Sequence, residues 1–149
     1  MTHLIMAALL LAATACIKSE PVVPPSSQLG NIVLTIGGKT FTAELEQNNT
    51  AEAFLKLLPA TYTMTELNGN EKYHYLDTSL PTNRTSPDTI HAGDLMLYSN
   101  NCLVLFYETF STSYSYSPIG HITVTDSLKE TLGNRNVQIH FSTITHNQK

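Results

Sequence analysis

From Gly30 onward apolar and polar residues alternate in short runs broken by turn residues, the pattern of half-buried β-strands. In "NIVLTI" the residues Ile32, Leu34 and Ile36 share one face, and in "KTFTAELE" Phe41, Ala43 and Leu45 do. Gly37-Gly38 between them suits the positive φ angles of a tight hairpin. The period then changes. Ala51, Phe54, Leu55 and Leu58 fall at i, i+3, i+4 and i+7, which predicts a helix capped by Asn49, with Glu52 reaching back and Pro59 as its stop. A second hairpin, "ATYTMTEL" and "EKYHYL", turns at Asn68-Gly69-Asn70, with Tyr62 and Met64 on one face and Tyr73 and Tyr75 on one face of the next arm. Residues 77–92 carry Pro81, Asn83, Pro87 and Asp88 without a period and read as a long loop, often a functional feature in a compact domain.

Two more strands, "LMLYS" and "CLVLFYETF", follow around Asn100-Asn101, and the second runs into a hydroxyl-rich ribbon, "STSYSYS", almost free of charge. "IGHITV" reads as a strand. "DSLKETLG" reads as a short helix capped by Asp126 or Ser127 and ended by Gly133, and "VQIHFSTI" closes the chain with Val137, Ile139 and Phe141 facing inward. About eight short strands and two helices in one domain predict a sandwich or a barrel. Closure into a barrel removes the exposed edges.

The first residues change the picture of the whole. "MTHLIMAALLLAATAC" holds an apolar run too short for a membrane span, then small residues leading into Cys16, the layout of a secretory signal peptide over residues 1–15. The ending "ATAC" resembles a bacterial lipoprotein box, which implies that Cys16 is lipidated and becomes the mature N-terminus. Residues 16–29 are Pro- and Ser-rich and read as a flexible tether, leaving 30–149 as the folded domain. The expected location is the bacterial cell envelope, at the outer membrane or cell surface, with the membrane engaged through the lipid. Net charge is −4, with Lys and Arg few and scattered, so nucleic acid is excluded as a partner.

Candidate chemistry is sparse. With Cys16 acylated, Cys102 is the remaining thiol and no disulfide forms; opening an apolar strand, it reads as a small buried hydrophobe. His74, His91, His121, His140 and His146 lack ligand spacing, so neither a metal nor a cofactor is expected. Asp77, Asp88 and Asp94 do not make an acid–base pair by spacing, and "HAGD" reads as a turn feeding a strand.

Taken together, "LTIGGKTFTAELEQNNTAEAFLKLLP", "LNGNEKYHYL" and "IHAGDLMLYSNNCLVLFYETFSTSYSYSPIGHI" resemble the bacterial cyclophilin-like family from about Asn31 to Phe141. The resemblance implies a mainly β fold, a closed eight-stranded cyclophilin-like β-barrel with one longer and one short capping helix. It does not carry catalysis with it. True cyclophilins present a Phe-His-Arg segment whose arginine is the main catalytic group, and residues 62–80 hold no arginine, with Arg84 and Arg135 elsewhere. No residue is therefore assigned a catalytic role. The family template places a groove on the outside of the sheet and nominates Met64, Tyr73, Met96, Tyr98, Phe106, Tyr114 and Tyr116 as its lining. Met adapts its shape and Tyr joins apolar area to a polar tip. The expected function is binding of a peptide or small apolar ligand. A divergent peptidyl-prolyl isomerase and an envelope protein-interaction module are the alternatives.

Overall fold

The computed structural model describes residues 28–144, so the leader, Cys16 and most of the tether lie outside the described residues. Eight strands close an antiparallel barrel: β1 (Asn31–Ile36), β2 (Lys39–Leu45), β3 (Ala60–Leu67), β4 (Glu71–Tyr75), β6 (Asp94–Tyr98), β7 (Cys102–Phe106), β9 (Ser117–Ile122) and β10 (Val137–Thr143). Their order around the barrel is β1-β10-β3-β4-β7-β6-β9-β2. A separate two-stranded ribbon joins β5 (Thr89–Ile90) to β8 (Phe110–Ser111). Helices α1 (Asn49–Leu55) and α2 (Leu128–Leu132) complete the chain. Among the described residues no helix is long and apolar enough to cross a membrane.

The β1–β2 hairpin turns on Gly37 and Gly38 at φ +55° and +84°, as the sequence predicts. Alternation then sorts each strand into an inner and an outer face. Ile32, Leu34, Ile36, Leu95, Leu97, Leu103, Leu105, Ile139 and Phe141 fill the interior. Gly120 on β9 sits so close to β2 that a Cβ there would collide with the Glu44 carbonyl oxygen. One end is closed by α1, whose Phe54 meets Phe141 edge to face at 5.7 Å. The cap of α1 is Asn48, not Asn49: its Oδ1 accepts from Ala51 N at 2.9 Å while its Nδ2 donates to the Pro118 carbonyl. With two asparagines in a row, that second bond to β9 decides which one caps. Glu52 does not reach back to the helix start; it pairs with Lys56 one turn on. The predicted side-chain cap of α2 is absent too, since Ser127 adopts a left-handed backbone and makes no capping bond.

The other end holds a lysine. Lys72 alternates inward between the outward Glu71 and Tyr73, and its ammonium is fully buried. It donates to the Glu66 carboxylate and to the carbonyls of Gly133 (2.8 Å) and Arg135 (2.7 Å), which uses all three N–H bonds. Tyr107 donates its hydroxyl to the same carboxylate at 2.8–2.9 Å and lays its ring beneath the ammonium. Burial pushes the Glu66 carboxyl upward, but its bonds to Lys72, Tyr107 and the Gly69 N–H outweigh that and hold it below the ordinary range. Burial, followed by the Glu66 hydrogen bond, drives the Tyr107 phenol well above its ordinary value.

The stretch 77–92 is less loose than its composition implies. Thr85 and Tyr116 exchange backbone bonds at 2.8 and 3.0 Å, Thr112 N donates to Asp88 O, and Thr50 anchors the Pro81 carbonyl at 2.7 Å. This stretch and the hydroxyl-rich ribbon zip together into a second layer outside the barrel.

Candidate functional site: an aromatic groove on the outer face

The outer faces of three adjacent strands make the floor beneath that second layer. Register fixes their neighbours: Tyr75, Cys102 and Tyr98 form one row across β4, β7 and β6, and Tyr73, Val104 and Met96 form the next. Adjacent strands lie about 4.8 Å apart, so Tyr75 and Tyr98 stand about 10 Å from each other at the backbone. The central positions carry the short side chains Cys102 and Val104. Large rings on both sides of a low floor make a trough.

One wall is Tyr73 and Tyr75, edge to face at 5.7 Å. The other is Tyr98 with Tyr114 (6.1 Å) and Tyr116 (5.6 Å) from the ribbon. Phe110 and Ser111 to Ser113 rim one side, Leu67, Asn68, Asn70 and Glu71 the end, and the enclosed volume is about 520 Å³. A second apolar cluster, separate from the barrel interior, packs between the sheet and the second layer and continues the floor: Ile90, Met96, Cys102, Val104, Phe106 and Tyr116.

The nominated residues divide by depth. Tyr73, Tyr98, Tyr114 and Tyr116 line the groove. Met96 and Phe106, 7% and 0% exposed, share that outer face but pack with Ile90 and Phe110 of the second layer and do not line the groove. Met64 is a correction. It is wholly buried in the barrel interior, because Thr65, not Met64, stands opposite Tyr73 and shares its outer face. Tyr114 and Tyr116 do face the same space, yet unequally: Tyr114 is 61% exposed, whereas Tyr116 is 7% exposed and packs edge to face on Phe106 at 5.4 Å.

Sequence reasoning missed Glu71, Tyr75, Cys102 and Val104, although simple alternation from Tyr73 and from Phe106 would have named all four. Glu71 supplies the groove's charge. Its carboxyl is raised by burial and then by the nearby Glu66 carboxylate. The Cys102 thiol is pushed up to about 11 by burial and next by Glu71, so it stays a protonated floor group rather than a nucleophile. Burial, then Glu71, also raises the Tyr116 phenol.

Among the described residues the histidines are apart from this site, and His146 lies outside them. His74 stacks on Tyr62 at 4.7 Å, His140 bonds Thr61, and His91 donates its backbone N–H to Asp94 in the turn that feeds β6. Among the described residues no three His, Cys, Asp or Glu side chains gather into a metal-binding group.

Comparison with known proteins adds the following. The model of the cyclophilin-like family matches residues 34–142. McbB, solved in complex with tryptophan, is similar in structure with a TM-score of 0.59 at 16% identity, over 79% of this chain and 46% of that one. This chain thus spans less than half the length of McbB. A hypothetical protein, AF2241 from Archaeoglobus fulgidus, has a TM-score of 0.57 at 16% identity, over 76% of this chain and 93% of its own. At that identity both likenesses speak for the fold. No curated protein matches the sequence.

Proposed function

We propose, from the premise that this chain belongs to the cyclophilin-like family, that it is a binding module whose external groove holds a peptide or small apolar ligand. The observation that carries this reading is the convergence of five tyrosines on one trough of about 520 Å³. Ligand sites are concave, mostly apolar and furnished with a few polar groups. A surface that exposes rings on both walls of a slot gains from burying them in a partner. The hydroxyls of the walls and of Ser111 to Ser113 supply hydrogen-bonding handles.

Binding is favoured over isomerisation by what lines the slot. Its residues include no arginine or lysine, and twisting an X-Pro bond against a barrier of about 20 kcal/mol calls for a strong donor at the proline nitrogen. An NMR titration with a library of small aromatic compounds and short peptides tests the reading. Amide shifts should cluster on β4, β6, β7 and the ribbon. Shifts centred on the opposite wall, at β1 and β10, would sink it. An X-Pro exchange assay run in parallel should show no acceleration; a rate like that of an authentic cyclophilin would promote the enzyme alternative.

Lipid anchoring through Cys16 is the second part of the proposal and rests on the leader alone. The tether would then hold the barrel, groove included, clear of the headgroups. Cys16→Ala should leave the protein unprocessed in a bacterial host, and a processed, membrane-bound variant of wild-type mass would dispose of the anchor.

A further inference from the structure

Every charge and every ring in the trough points to one sign of ligand. Glu71 is the single charged residue of the lining, and the lining holds no lysine, arginine or histidine. Its carboxylate is half-buried and has no hydrogen-bond or ion-pair partner among the described residues, whereas Glu52, Glu66 and Glu108 each meet a lysine. Buried charges ordinarily come paired. Next to it, at the same end of the trough, Asn70 has a side-chain oxygen that is buried and unpartnered. The Glu71 carboxylate is thus a charged acceptor without a donor at the end of the slot.

The walls add to this. Aromatic faces carry negative potential, and a cation within about 6 Å of a ring centroid is attracted to it. Rings Tyr73 and Tyr75 on one side and Tyr98 and Tyr114 on the other flank a floor of Cys102 and Val104, wide enough for a slender or flat group to lie between them. An anion entering the slot meets ring faces, a carboxylate and no counter-charge.

We infer that the groove selects a ligand bearing an ammonium group on a flat or slender apolar body, with the body between the tyrosine walls and the ammonium at Glu71. This deepens the binding role proposed above and rests on it. An ammonium offers three N–H donors to a carboxylate that has none. The chemistry fits both an arylalkylamine and a lysine side chain of a peptide.

The test compares three probes on one phenethyl frame by NMR titration: phenethylamine, its isostere 2-phenylethanol, and 3-phenylpropionate. The chain has no tryptophan, and five of its seven tyrosines line the groove, so tyrosine emission gives a second readout of the same event. The amine should bind about tenfold more tightly than the alcohol, and the carboxylate least of all. Glu71→Gln should close most of the gap between amine and alcohol. On unaltered protein, raising salt from about 0.05 to about 0.5 M should weaken the amine and leave the alcohol unmoved, a control that needs no variant. N-acetyl-lysine methylamide, titrated as a fourth probe, assigns the ligand to a peptide if it outbinds phenethylamine and to a small amine if it does not. Equal affinity for amine and alcohol overturns the charge selection while leaving the groove reading in place. Failure of every probe to move groove signals overturns both.

Discussion

Removing the buried ammonium of Lys72 by Lys72→Met should destabilise the fold by about 3–5 kcal/mol, the range for breaking one side of a buried ion pair. Methionine keeps most of the volume, so a cavity contributes little. What is lost is the partner of Glu66 and of the Gly133 and Arg135 carbonyls, which join α2 and the approach to β10 to the barrel end. The carboxylate keeps Tyr107 and the Gly69 N–H, but it is left half-buried without a cation. In a domain of about 120 residues the loss lowers the unfolding midpoint by about 12–20 °C. Thermal and urea unfolding measure it, and a cycle with Glu66→Gln should return a coupling energy of at least about 1 kcal/mol. The pH dependence has a definite sign. Glu66 is held below its unfolded value of 4.5, so its contribution is complete above that pH and is lost as pH falls through the lower folded value. Glu66→Gln should therefore flatten the acid limb of the stability curve. A Lys72→Met protein within about 1 kcal/mol of wild type, with an unchanged acid limb, would refute the argument that this network holds the barrel end together.

Tyr114→Ala should leave stability within about 0.5 kcal/mol, since that ring is 61% exposed, whereas Tyr116→Ala should lose about 3 kcal/mol because its ring packs on Phe106. Both should weaken binding in the groove, and urea denaturation beside ligand titration separates the two effects; equal losses of stability would contradict the layering described. Gly120→Ala should destabilise by about 1–3 kcal/mol, because the new Cβ meets backbone at Glu44 that cannot swing aside, and a neutral result by calorimetry would disprove that close approach. Cys102 should react slowly with a thiol reagent at pH 8, its thiol being buried and raised to about 11, and faster by orders of magnitude in denaturant. A bound groove ligand should slow it further. Labelling at the denatured rate would show that the floor is open.

Period-two alternation within each strand was enough to predict the strands and the hairpins at Gly37-Gly38 and Asn68-Gly69, since short-range sterics and burial act over a few residues. It left a sandwich and a barrel both open, and the closed eight-stranded barrel came with the family resemblance. It said which residues share a face, such as Tyr73 with Tyr75, but alternation is blind to which face is the inside. Met64 shows the gap: its neighbour across the sheet, and therefore its side of the wall, depends on the register of β3 against β4. The row Tyr75, Cys102, Tyr98 likewise exists because three strands align, and no property of any one strand announces it. Lys72 reads in sequence as an ordinary surface charge. Only the closed barrel brings carbonyls from 61 and 63 residues away onto its ammonium, and only then is burying it favourable. The ribbon's composition announced a surface tolerant of water and packing; the pairing with residues 85–90 decided that its rings stand over a trough. Local chemistry set the elements, and long-range register set the site.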